Sequence, residues 1–138
     1  WATDRKPCRT RRFASPDGLD DLRSRLAASS GDPGYAVTGI GATDYARPDV
    51  LELYADDVDA FASEFDLRPV DGGGDVVIAT PWSAVVFERM QIREGLRCVA
   101  PSHAYADLVA GPFRHPDAAD YQLTTMRDAL GCHGERFR

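Results

Sequence analysis

The sequence predicts an α/β (α+β) domain, a mixed β-sheet packed by four to five helices. Three observations predict it. Short runs rich in Val, Ile, Leu and Tyr recur between Gly- and Pro-bearing turns, as strands do. Between them lie stretches whose apolar residues repeat at three- and four-residue spacing, as on one face of a helix. The chain also has 138 residues, 43% hydrophobic and 28% charged, which suits one globular domain with a core of its own.

The first half of the chain follows that alternation. Arg11–Ala14 reads as a short strand. Ser15 then stands as an N-cap with Pro16 at the first helical position, and Leu19, Leu22 and Leu26 form the buried stripe of the helix that follows. The Ser-, Gly- and Pro-rich segment 29–34 ends it. Tyr35–Thr38 is a strand, Gly39-Ile40-Gly41 a turn, and Ala42–Ala46 a helical turn that Pro48 prevents from continuing. Val50–Tyr54 alternates like a strand. Asp56 and Asp57 suit the positive end of the next helix, whose apolar positions Val58, Phe61, Ala62 and Phe65 show the clearest amphipathic pattern in the chain.

The second half begins with two short runs, Leu67–Val70 and Asp75–Ala79, flanking three glycines, a pattern that predicts a β-hairpin. Val76–Ala79 is apolar on both faces, as a central strand should be. A helical turn follows Pro81, and Phe87–Ile92 with Leu96–Ala100 form a second hairpin around Arg93-Glu94-Gly95. Ser102 caps a helix through Val109, which Gly111-Pro112 ends. The last helix is expected over Pro116–Leu130, with Ala119, Leu123, Met126 and Leu130 buried and Gly131 as its stop. The total is five to seven strands in one sheet.

Charge and cysteine content narrow the function classes. The formal net charge of -6 argues against a surface that is a nucleic-acid footprint throughout. Arg5, Lys6, Arg9, Arg11 and Arg12 nevertheless crowd the N-terminus, and such a cluster either tracks phosphates or serves as a solvated connector. No apolar run is long enough to span a bilayer, so no membrane association is expected. Cys8, Cys98 and Cys132 are odd in number and widely spaced, which fits a reducing cytoplasm. Cys98 lies in an apolar run and reads as a core residue; Cys132-His133 lacks the second ligand pair a zinc site needs. Neither a metal nor a cofactor is expected.

The stretch Tyr35–Asp57 has the order of a degenerate nucleotidyltransferase entrance: strand, glycine turn, short helix, second strand, acids. In such sites a turn cradles phosphate and two carboxylates one residue apart on a strand hold metal. Gly39 and Gly41 supply the turn here, but Ile40 stands where a hydroxyl would help. Glu52 is the only acid within the strand, and its i+2 neighbour is Tyr54. Recruiting Asp56 as the second acid places it about 13 Å away along an extended chain. Helix capping explains Asp56 and Asp57 without a ligand. A nucleotide or metal site at Gly39, Gly41, Glu52 and Asp56 is thus the alternative, and a chain without catalytic residues is the expectation. His103 and His115 read as a surface or satisfied histidine and a residue at a helix start, since no nucleophile elbow accompanies Ser83 or Ser102.

Six segments taken in order resemble the C-terminal domain of AbiEi-type antitoxins of type IV toxin–antitoxin systems. They are Tyr35–Gly39, Leu53–Asp57, Leu67–Val70, Thr80–Trp82 with Val86-Phe87, Val99–Ser102 and Ala106–Pro112. In that family an N-terminal winged helix-turn-helix binds DNA and represses the operon, and the C-terminal domain counteracts a nucleotidyltransferase-like toxin. The resemblance implies a non-catalytic, cytoplasmic antitoxin and transcriptional regulator whose partners are DNA and a toxin. It divides the chain into a basic lead-in (1–12) from a missing winged-helix region, a domain over 13–131, and a tail (132–138).

Overall fold

The computed structural model describes residues 9–29, 34–110 and 113–135, with side chains described as far as residue 130. The expected α/β class is what forms: seven strands in one mixed sheet and four helices among the described residues. In chain order they are β1 (Thr10–Ala14), α1 (Leu19–Ala28), β2 (Tyr35–Val37), β3 (Leu51–Ala55) and α2 (Val58–Glu64). Then come β4 (Arg68–Val70), β5 (Val76–Ala79), β6 (Gln91–Arg93), β7 (Leu96–Cys98), α3 (Pro101–Ala110) and α4 (Pro116–Glu135). The strand order is β4-β1-β5-β3-β2-β7-β6, with β3–β5 and β2–β7 parallel and the other neighbours antiparallel. No helix among the described residues is long and apolar enough to cross a membrane.

Strand alternation sorts side chains onto two faces, and each face takes its own helices. Tyr35, Leu53, Phe13 and Val76 share one face by register. There Tyr35 packs on Phe61 of α2 and its hydroxyl donates to the Leu26 carbonyl of α1. Tyr54 and Glu52 point the other way, where Tyr54 meets His103 of α3 and Phe113. Leu22, Leu26, Leu51, Leu53, Phe61 and Ile78 are fully enclosed, each burial contributing about 1.5–3 kcal/mol, so the α1–α2 side holds most of the core. β5 lies between β1 and β3, which is why Val76–Ala79 is buried throughout.

The expected hairpin over Leu67–Ala79 does not form. β1 inserts between the two strands, pairing antiparallel with β4 on one side and β5 on the other. The glycine segment therefore crosses the end of β1 instead of turning back. Gly74 has φ 79°, and a Cβ there would stand 2.5 Å from the Phe13 carbonyl oxygen. β1 also begins at Thr10, so Arg11 and Arg12 lie within the sheet and not in a lead-in. The hairpin of β6 and β7 does form, with Glu94 and Gly95 both at positive φ (52° and 83°) in its two-residue turn. Its strands are shorter than predicted, because Ala84–Phe87 forms the 3₁₀ turn expected after Pro81.

Helix ends differ from the sequence reading in four places; at one of them α3 begins at Pro101, so Ser102, expected as its cap, is a helical residue. Ser15 does not cap α1: its backbone N–H donates to Asp75 Oδ1 at 2.8 Å and its hydroxyl to Asp75 Oδ2. Gly18 (φ 87°) occupies the cap position instead, with no side-chain cap. The helical turn expected over Ala42–Ala46 is displaced onto the glycines, as a 3₁₀ turn over Gly39–Ala42. Of the two aspartates expected at the start of α2, Asp57 is the cap, its Oδ1 accepting from the Ala60 N–H at 3.0 Å. Gly131 does not stop α4, which runs to Glu135. Ala118, Ala119 and Gln122 form its buried stripe, whereas Leu130 is 71% exposed because α3 underlies only the first part of the helix.

Gly74→Ala is expected to destabilise the domain by about 2 kcal/mol or more, through a left-handed backbone and a clash with backbone at once. Gly72→Ala meets nothing within 4 Å and should stay within about 0.5 kcal/mol of wild type. Urea denaturation of both variants checks the pair.

Candidate functional site

The polar interior of the molecule gathers where β2 ends. Thr38 is extended, and its N–H donates to the Glu52 carbonyl at 2.9 Å, prolonging the β2–β3 ladder by one bond. Gly39 then turns the chain at φ 66°. A Cβ on Gly39 would stand 2.5 Å from Glu52 Oε1 and 3.5 Å from Phe113 Cβ, so the Glu52 carboxyl lies directly against the turn. Burial pushes the Glu52 carboxyl up from 4.5 to about 7; the neighbouring Asp107 adds to the rise and Arg12 opposes it.

Asp107 of α3 is the centre of this region. It is 2% exposed. Its Oδ2 accepts from Thr38 Oγ1 at 2.6 Å and from the Tyr54 hydroxyl at 2.9 Å, and His103 Nε2 lies 3.6 Å away one helical turn earlier. Tyr54 is held edge-on between His103 and Phe113, with ring centroids 5.8 and 5.9 Å apart. Ile40, where a catalytic turn would favour a hydroxyl, instead packs with Leu108, Ala118 and Ala119 and ties the turn to α3 and α4.

The structure separates the residues of the nucleotide-site alternative. Gly39 and Glu52 touch, as described. Gly41 faces away from them, its nearest neighbours being Val37, Pro48 and Leu51. Asp56 is exposed beyond the far end of β3, lining an open crevice with Arg9, Arg11, Asp57, Asp59 and Thr80. β3 pairs without interruption from Leu51 to Tyr54, so no bulge shortens the path between Glu52 and Asp56. Among the described residues no three His, Cys, Asp or Glu side chains gather as metal ligands would.

The basic cluster is also divided. Arg5 and Lys6 lie outside the described residues, and Arg9 is exposed. Arg11 pairs with Asp59 at 2.7 Å and stacks over Phe13, while Arg12 donates to the Gly73 carbonyl at 3.3 Å from the opposite face of β1. Arg11 and Arg12 therefore lie on opposite faces of β1. Cys98 is buried in β7, and His115 starts α4 by accepting the Ala118 N–H at Nδ1. Asp107 carries no motif of its own in the sequence. The available signal was an acid on the buried stripe of a helix, between Ala104 and Leu108 at helical spacing.

Two outcomes follow from this geometry. A carboxyl raised on folding stabilises fully below its unfolded value near 4.5, and loses that contribution as pH rises through about 7. Wild type should therefore lose stability between those values, by at most about 3 kcal/mol before solvent screening. Glu52→Gln should flatten that slope in denaturation measured from pH 4.5 to 8. Tyr54→Phe should cost about 1–3 kcal/mol by removing a donor from buried Asp107, read by thermal unfolding at pH 7.

Compared with protein-family models, with curated proteins and with solved structures, the chain matches none of them.

Proposed function

We propose that this chain is a non-catalytic regulator domain of the antitoxin type, counteracting a nucleotidyltransferase-like toxin while a winged helix-turn-helix outside it reads operator DNA. The observation that carries this reading is the meeting of Thr38, Tyr54 and Asp107 at one carboxylate oxygen. Those residues come from three of the six segments in which the sequence resembles AbiEi-type antitoxins, Tyr35–Gly39, Leu53–Asp57 and Ala106–Pro112. Segments far apart in sequence thus share one structural task. Two of the acids that follow β3 have structural duties: Asp57 caps α2 and Asp59 pairs with Arg11.

One observation favours a second reading, a diverged metal-dependent nucleotidyltransferase or other small nucleotide-processing enzyme. Glu52 is a half-buried acid with a strongly raised titration point beside a glycine turn, a combination common at reactive sites.

Growth and binding assays separate the two. A full-length protein carrying this domain should restore growth against the toxin encoded beside it and retard its own promoter fragment. Failure of both assays removes the regulator reading. Calorimetric titration with nucleotides and Mg²⁺ or Mn²⁺ should give no heat that depends on Glu52. Binding that is present in wild type and lost in Glu52→Ala would move the assignment to the enzyme.

A further inference from the structure

A cleft of about 280 Å³ opens on the side of the domain away from the Asp56 crevice, between α1, the loop 43–50 and the β6–β7 hairpin. Pro48, Leu51 and Leu96 give it an apolar floor, and three arginines line it from three separate segments: Arg23 of α1, Arg47 of the loop and Arg93 of β6. The walls are held in place by contacts of their own. Thr43 accepts the Tyr45 N–H and donates to the Ile40 carbonyl, and the Tyr45 ring packs edge-on against His115 and Tyr121.

The arginines and their carboxylate partners are unequally placed. The Arg23 and Arg93 side chains are 13% and 29% exposed, whereas Asp20 and Asp44, which pair with them, are 86% and 63% exposed. Asp20 Oδ1 is shared by Arg47 at 2.9 Å and Arg23 at 3.5 Å, and Arg23 also donates to the Pro48 carbonyl at 3.3 Å. The Arg23 and Arg93 cations thus belong to the wall of the cleft, while Arg47 and the anions reach in from solvent. The exposed Arg47–Asp20 pair contributes only about 0–1 kcal/mol. A ligand anion that engages two or three guanidinium groups in charge-assisted, forked hydrogen bonds outcompetes such a pair.

We propose that this cleft binds a phosphate monoester of a small organic molecule, with the phosphate displacing Asp20 and Asp44 from the arginines and the organic part resting on Leu51, Leu96 and Pro48. Three arginines from three separate segments offer more donors than the two oxygens of a carboxylate can take, and a phosphate has three terminal oxygens to receive them. The volume lies at the lower edge of small-molecule sites, which selects a compact ester. Asp44 and Glu94 line the cleft and offset two of its three arginines, while Asp20 pairs with Arg23 and Arg47 from outside the lining. Neutralising an acid should therefore strengthen binding.

Calorimetry with phenyl phosphate, inorganic phosphate and a short single-stranded oligonucleotide tests this. Phenyl phosphate should bind, inorganic phosphate more weakly for want of the apolar contact. Arg47→Gln and Arg93→Gln should each weaken phenyl phosphate binding about tenfold or more, and Asp44→Asn should strengthen it severalfold. Arg47 is exposed, so its variant keeps the test valid even where Arg93→Gln unfolds, as circular dichroism would show. Absence of phenyl phosphate binding, or affinity unchanged in both Arg47→Gln and Asp44→Asn, overturns the proposal. Binding of the oligonucleotide alone overturns it in favour of a nucleic-acid backbone.

Discussion

The structure depends on one buried carboxylate. Removing a polar group from water is costly unless hydrogen bonds replace the lost solvation. Asp107 meets that requirement by drawing in the Thr38 and Tyr54 hydroxyls, with His103 beside them. Each of these partners is fixed in turn by its element. Tyr54 alternates onto the α3 face of β3, Thr38 continues β2 by one ladder bond, and His103 sits four residues before Asp107 on the same helix. The carboxylate therefore specifies how α3 sits on the sheet, in a way that apolar contacts alone would leave less directional.

This constraint changes the meaning of the glycine turn. Gly39 has no Cβ because the Glu52 carboxyl occupies that space, and Ile40 is apolar because it packs beneath α3 and α4. The turn is shaped by what lies above it, and its backbone is closed off by a side chain of the chain itself. The raised titration point of Glu52 follows from the same burial, strengthened by the charge of Asp107. An acid perturbed in this way arises whenever a structural carboxylate and a half-buried neighbour share one sheet face, so the perturbation by itself does not identify chemistry.

The other half of the sheet is organised by insertion. β1 enters between β4 and β5, which converts what local sequence offers as a hairpin into a crossing over the end of a third strand. Gly74 is needed where that crossing passes the Phe13 carbonyl. The same arrangement draws Ser15 to Asp75 and away from the helix that its position suggested it would cap.

The sequence by itself determined the α/β class, the helical stripe of α2 with an aspartate at its start, the central β5, and a hairpin around Arg93-Glu94-Gly95. Each rests on interactions between near neighbours: apolar periodicity, an N-cap three residues from its donor, a short glycine-bearing turn. Only the tertiary structure decided which strand lies beside which, where α4 ends, and that Thr38, Tyr54 and Asp107 form one site. Their separations of 53 and 69 residues leave no periodic trace, and Asp107 showed itself only as an acid on an otherwise apolar stripe. Strand order depends on how a segment far away in sequence competes for the same backbone donors and acceptors. Local pattern carries no information about that competition, which is why Ser15 and the Gly72–Gly74 segment took different places in the fold.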